Sequence, residues 1–299
     1  MRIERIISEI DNLELELAII EPKIAPKEII QLTHGMAEHK GRYYDFMEYL
    51  AEQGYICVIH DHRGHGASVR KKEDLGYFYS EDINCIIDDL HQVTKFIKKR
   101  YEGLEVILFG HSMGTLVASN YLKKYDSQIK KLVLCGPPTA NPLTPLAIFM
   151  AKGLKLAKGD RHINKFLNKL SFGNYNKGNE LEFQWLSTNT EIVNKYNEDS
   201  LCGYIFTTNG FINLYKLLKE AFNKKNWDIG NEELDIFVIA GKDDPVIQNE
   251  DKFNSLISFL KDVGYSNVDS KLYQGKRHEL LNEIGKEEIY QDVLEFIEK

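Results

Sequence analysis

Five short apolar runs, spaced apart by longer stretches of mixed polarity, set what this chain can fold into. They are EIIQLTHG (28–35), YICVIH (55–60), LEVILFG (104–110), KLVLCG (131–136) and LDIFVIAG (234–241). None alternates in and out like a strand with one face in water, so each predicts a strand buried on both faces. Helical spacing fills several intervals. Residues 42–54 carry apolar side chains at 43, 46, 47 and 50 and stop at Gly54; Ile83–Tyr101 sets Ile86, Ile87, Leu90, Val93 and Ile97 on one face; Gly114–Tyr125 is a third helix. Strands alternating with helices predict an α/β fold, a mainly parallel sheet flanked by helices. Residues 2–20 differ, because Leu13, Leu15 and Leu17 alternate with Glu14 and Glu16. Two half-buried strands turning at Asp11-Asn12 are expected there. SKLYQG (270–275) and a terminal helix from about Ile284 complete the pattern.

The rhythm breaks between Pro137 and Gly230. This stretch opens with Pro137, Pro138, Pro142 and Pro145 and holds helical patterns without a convincing buried strand. A mostly helical cap (137–230), inserted between two core strands, is expected, with 1–136 and 231–299 forming the core.

LFGHSMGTL (108–116) places a serine at Gly-x-Ser-x-Gly. With 21 glycines in 299 residues, chance alone puts such a match in about one chain in ten, so the flanks must decide. Here the pattern follows a predicted strand directly and precedes a helix directly. That is the context of a nucleophile elbow, in which Gly110 and Gly114 relieve crowding around Ser112 and the helix N-terminus points at the reacting oxygen. A serine alcohol needs an imidazole base, and the imidazole needs a carboxylate to fix its tautomer. Downstream histidines are His162, in the basic part of the cap, and His278, just past the last strand, which is preferred. Asp243 and Asp244 both follow the strand at 234–241, and spacing alone does not separate them. An oxyanion would be met by the backbone N–H of Met113 and by that of Met36, in the loop THGMAEH (33–39) where Gly35 lets the chain bend.

Taken together, HGMAEHKGRY, DHRGHGAS, GHSMG, GKDDP and RHELLNE resemble the monoacylglycerol lipase and lysophospholipase branch of the α/β-hydrolases, in the family's order and from about residue 30 to 285. The resemblance implies the α/β-hydrolase fold, a triad of Ser112, Asp244 and His278 rather than Asp243, structural roles for Asp61 and Arg63, and hydrolysis of monoacylglycerols or lysophospholipids. General carboxylesterase, thioesterase and serine peptidase activity use the same chemistry. Dehalogenases and epoxide hydrolases resemble this architecture but put an aspartate at the elbow. A non-catalytic binding protein would be expected to have lost a triad member.

A metal site is the main rival chemistry. HDHRGH brings His60, His62 and His65 close together, and HELLNE approaches the zinc pattern His-Glu-x-x-His but has Asn282 in its fifth position. No acidic or cysteine cluster completes a site in sequence, so neither metal nor cofactor is expected. Cys57, Cys85, Cys135 and Cys202 lie far apart and read as buried, reduced thiols. A net charge of −7 argues against nucleic acid as a partner. The N-terminus carries Glu4, Glu9, Asp11, Glu14 and Glu16, too acidic for a signal-peptide core, and a cytoplasmic protein is expected.

Residues 143–178 hold seven basic side chains and one acidic, Asp160, with Lys152, Lys155 and Lys158 at spacing three. A basic amphipathic cap helix would suit transient contact with an anionic membrane surface, or would simply face water. Phe149, Phe166, Phe172, Phe183, Trp185, Phe206, Phe211 and Tyr215 line an acyl-chain pocket or form plain core. The expected substrate is a small lipid or ester.

Overall fold

A computed structural model describes residues 1–299. The strands are β1 (Arg2–Ile7), β2 (Glu14–Ile20), β3 (Ile29–Thr33), β4 (Ile56–His60), β5 (Val106–His111), β6 (Lys131–Cys135), β7 (Asp235–Gly241) and β8 (Val268–Tyr273). They form one sheet in the order β1-β2-β4-β3-β5-β6-β7-β8. The β1–β2 and β2–β4 pairs are antiparallel and every other pair is parallel. The helices are α1 (Tyr44–Glu52), α2 (Asn84–Arg100), α3 (Met113–Tyr125), α4 (Thr144–Lys158), α5 (Lys165–Phe172), α6 (Thr190–Glu198), α7 (Thr208–Ala221), α8 (Glu250–Asp262) and α9 (Lys286–Glu298). No helix is long and apolar enough to cross a membrane.

The apolar runs are buried on both faces because both faces are covered. In β5, Val106 and Leu108 join the core beneath α2, α3 and α8, while Ile107 and Phe109 join the opposite core beneath α1 and α9. Each such aliphatic side chain, fully buried, contributes about 1.5–3 kcal/mol. α8 is not among the helices expected from sequence. Its signal is nonetheless present: Asn249 caps the helix by accepting the Lys252 N–H, and Phe253, Leu256 and Leu260 are its buried residues. The terminal helix begins at Lys286 rather than Ile284, because Gly285 turns through φ 74° just before it. α4 to α7 all lie between β6 and β7, with one isolated bridge between Ile163 and Thr207.

Candidate active site

Ser112 links β5 to α3 with φ 51° and ψ −120°. A side chain-bearing residue in that region stores about 1–3 kcal/mol of strain. The two flanking glycines are required for different steric reasons. A Cβ on Gly110 would lie 3.0 Å from the Gly114 carbonyl oxygen, within the elbow itself. A Cβ on Gly114 would lie 2.2 Å from the Thr33 carbonyl oxygen, in the neighbouring strand. The second glycine thus lets α3 approach the end of β3.

Three loops at the carboxyl ends of strands converge on the Ser112 hydroxyl. His278 Nε2 lies 2.8 Å from Ser112 Oγ, and His278 Nδ1 lies 2.8 Å from Asp244 Oδ2. An ionised carboxylate only accepts, so Nδ1 carries the proton and Nε2 is free to take one. Asp244 Oδ1 accepts the Val246 N–H at 2.8 Å, which fixes the carboxylate plane. Asp243 points elsewhere and is exposed, whereas Asp244 is buried. His162 lies in the 137–230 segment, its carbonyl accepting from Thr208. Gly136, not singled out by sequence, turns with φ 59°, and a Cβ there would sit 3.1 Å from His278 Nδ1.

The loop after β3 is held from below by a buried carboxylate. Glu38 Oε1 accepts the Gly35 N–H, the Tyr43 hydroxyl at 2.8 Å and His111 Nδ1 at 3.2 Å. Arg42 bridges Glu38 and Glu279, donating at 3.1 Å to the first and at 2.6 Å to the second. Burial alone would raise the Glu38 carboxyl, but the hydrogen bond and charge of His111, with Arg42 behind, hold it well below its ordinary value. Burial would lower His111, yet Glu38 raises it above its ordinary value. The His62 N–H donates to His34 Nε2 at 2.9 Å, so His34 Nδ1 carries a proton and donates it to the Gly35 carbonyl at 2.8 Å. Both backbone groups of Gly35 are therefore engaged. Gly35, Met36, Ser112 and Met113 all line one cavity. Glu38, Arg42 and Glu279 lie inside the motifs quoted from the sequence, but a buried ion pair leaves no spacing signature there.

The clustered histidines are packing residues in this structure. His60, His62 and His65 are buried with His34, with rings 4.5 Å (His34–His62) and 4.9 Å (His60–His62) apart. His62 Nε2 pairs with Thr33 Oγ1 at 2.6 Å and His65 Nδ1 with the Arg63 carbonyl at 3.1 Å, while both His60 nitrogens, His62 Nδ1 and His65 Nε2 have no hydrogen-bond partner. Burial pushes His60 and His65 down to about 3. Asp61 accepts from Lys40 Nζ at 2.6 Å and Arg63 Nε donates to Asp89 at 2.7 Å, both away from Ser112. A different trio, His39, Asp199 and Cys202, brings its donor atoms within 4.8 Å. The Gly41 N–H donates to His39 Nδ1, so Nε2 bears the proton and gives it to Asp199 at 2.8 Å. That ring is committed to a hydrogen bond rather than offering a lone pair. The four cysteines are unpaired and buried.

Above Ser112 lies a cavity of about 680 Å³, roofed by the 137–230 segment. The aromatic residues of that segment divide three ways. Phe172, Phe183, Trp185 and Tyr215 line the cavity; Phe206 and Phe211 are core; Phe149 and Phe166 are exposed. Leu143 and Leu146 also line the cavity while 64 % and 54 % exposed, which marks its mouth. Of the three spaced lysines, Lys155 is paired with Glu81.

A sequence profile of the family described as "Serine aminopeptidase, S33" matches residues 24–285. The chain is 31 % identical over 184 residues to a monoglyceride lipase of Homo sapiens, covering 60 % of this chain and 54 % of that protein. It is 31 % identical over 141 residues to a monoacylglycerol lipase of Mycolicibacterium smegmatis, covering 46 % and 49 %. The chain thus spans about half the length of each of these relatives. Among solved structures, a carboxyl esterase from Bacillus coagulans in complex with glycerol superposes with a TM-score of 0.90 at 22 % identity, over 100 % of this chain and 98 % of that one. That likeness shows a shared fold.

Proposed function

This chain belongs to the serine aminopeptidase S33 family of α/β-hydrolases, and we propose that it hydrolyses carboxylic monoesters of lipids through an acyl-enzyme on Ser112. Ser112 Oγ attacks the ester carbonyl carbon while His278 Nε2 takes its proton. Asp244 stabilises the imidazolium so formed. The backbone N–H groups of Met36 and Met113 receive the oxyanion. The tetrahedral species collapses, the C–O bond to the alcohol breaks, and His278 returns its proton to the leaving oxygen. Water then repeats the sequence and releases the acid.

The observation that carries the substrate class is the apolar cavity opening onto Ser112 under the 137–230 segment, which we read as a cap. Its volume of about 680 Å³ suits a single acyl chain, and burial of that chain is worth about 0.8 kcal/mol per methylene. The buried carboxylates nearest the reacting serine are otherwise engaged, Asp244 with His278 and both Glu38 and Glu279 with Arg42. In the lining, only the exposed Glu182 remains to meet the free amine of an aminopeptidase substrate. This favours esters of uncharged glycerol or lysophospholipid over peptides.

The cap also carries the surface we assign to transient contact with lipid. Phe149 and Leu156 on α4 are 76 % and 91 % exposed, and Phe166 and Leu170 on α5 are each 54 % exposed. The apolar side chains, rather than three free lysines, dominate this exposed surface; Lys152 and Lys158 on the same helix are exposed as well.

A length series tests the reading. With p-nitrophenyl esters from acetyl to palmitoyl and with matched monoacylglycerols, kcat/KM is expected to rise with chain length and to exceed that on triacylglycerols. Best turnover of acetyl esters, with no gain from longer chains, would replace it with a general carboxylesterase.

A further inference from the structure

Residues 184–188 of the cap run alongside the loop that carries His278. The Leu186 carbonyl accepts the Glu279 N–H at 2.7 Å, and the Gln184 carbonyl accepts from the Arg277 guanidinium. The Ser187 hydroxyl donates to the Asn282 carbonyl at 3.2 Å. The Thr188 N–H donates to the Glu283 carboxylate at 3.1 Å, and that carboxylate also accepts the Arg277 N–H at 2.7 Å. The segment enters this arrangement through Phe183, at φ 55°, a conformation that surrounding packing must hold in place. Leu186, Tyr196 and Cys202, with Phe183 and Trp185 against them, form a small apolar core of their own.

The outcome of this clasp is the placement of one ring. The Trp185 indole lies 5.2 Å from the His278 imidazole, tilted by 35°, and Tyr175 braces the indole edge-on at 5.1 Å. His111 is 4.9 Å from the same imidazole. His111 faces Glu38, which raises it above its ordinary value against the effect of burial, and its Nε2 lies 3.4 Å from the His278 carbonyl. Asp244, Arg277, Glu279 and Tyr175 are the other titratable groups around the His278 ring. An aromatic face attracts a cation at this separation.

Taking His278 as the base, we propose that Trp185 is a positioning residue: it holds the imidazole between Ser112 and Asp244 and stabilises the imidazolium that forms when Ser112 gives up its proton. The cap therefore reaches the chemistry as well as the substrate. Trp185 packs against the imidazole and also lines the cavity.

The test compares wild type with Trp185→Leu, Trp185→Phe and Trp185→Met on a short, soluble p-nitrophenyl ester. A fluorophosphonate label on Ser112 is measured first. A wild type that does not label would remove the serine-hydrolase reading itself, whereas labelling with unaffected variants would remove only this inference. For Trp185→Leu, kcat is expected to fall about three- to thirtyfold with KM little changed. The acid limb of the kcat/KM profile is expected to move down by about half to one pH unit, because losing a stabiliser of the protonated ring lets it shed its proton at lower pH. Trp185→Phe is expected to restore most of both. If Trp185→Leu does not fold, Trp185→Phe against Trp185→Met decides, since only the former keeps a π face. A raised KM with an unmoved acid limb, or identical acid limbs in the Phe and Met variants, would overturn the proposal.

Discussion

Glu38 and His111 form a buried pair one residue behind the candidate nucleophile, Glu38 Oε1 lying 3.2 Å from His111 Nδ1. The same oxygen accepts the Gly35 N–H, so one carboxylate joins the loop before the elbow to the elbow itself.

That pair predicts a stability window. The Glu38 carboxyl is lowered from 4.5, so its contribution is present above that value and fades as pH falls through the folded one. His111 is raised from 6.5, so its contribution is complete below that value and is lost as pH rises through the folded one. The Tm gap between wild type and Glu38→Gln should therefore be widest from about pH 4.5 to 6.5 and narrow on both sides. There the variant should lose about 3–5 kcal/mol, as when one partner of a buried pair is removed. Thermal melts across pH check this; a flat gap would remove the pair as its cause.

Ser112→Ala should lower kcat by roughly four to six powers of ten with little change in substrate binding. Steady-state kinetics and loss of fluorophosphonate labelling measure it. Retention of a tenth of the wild-type rate would exclude Ser112 as nucleophile.

The two adjacent aspartates should separate sharply. Asp244→Asn should reduce kcat by about 10⁴, since the amide favours the wrong imidazole tautomer. Asp243→Asn, on an exposed side chain, should stay close to wild type. The opposite ranking would reassign the acid.

Vesicle sedimentation should distinguish the two components of the cap surface. Phe149→Ser with Leu156→Ser should weaken binding to neutral and anionic vesicles alike, because each side chain gives up apolar burial. Lys152→Gln with Lys158→Gln should weaken only anionic binding, by about thirtyfold, at roughly 1 kcal/mol per lysine near the surface. Lys155→Gln, already paired with Glu81, should add little. Binding that ignores all of these would remove the docking role.

The strands, the strand–turn–helix setting of Ser112 and the chain order Ser112, Asp244, His278 are legible in sequence because they depend on local signals: apolar runs, small residues at fixed offsets, and polar residues at strand ends. Asp244 and Asp243 show where that ends. Both occupy the same turn, and resemblance, not spacing, separates them until burial does. α8 carries an Asn249 cap and a helical apolar face, a signal easily passed over between two louder strands. Glu38, Arg42, Glu279 and Trp185 are of another kind. Each has a partner between 73 and 237 positions away in the chain, and such pairings exist only once the sheet is assembled.

β6 and β7 are hydrogen-bonded neighbours in register, Lys131 facing Asp235 and Cys135 facing Ile239, although residues 136–234 intervene. Closing that excursion costs chain entropy that grows only with the logarithm of its length, about 0.6 kcal/mol for each doubling. The sheet is thus nearly indifferent to how much polypeptide is spliced at this seam. What limits exchange of the segment is its attachments: α7 packs on α3, where Asn120 donates to the Leu217 carbonyl at 3.0 Å, Asn209 and Asn213 bond the chain at Phe78 and Ser80, Tyr196 and Gly203 donate to the Ala37 carbonyl, and residues 184–188 grip the His278 loop. A transplanted segment that kept those anchors would leave the lining between them open to change, which makes this seam a point at which the cavity can be remodelled on an unchanged core.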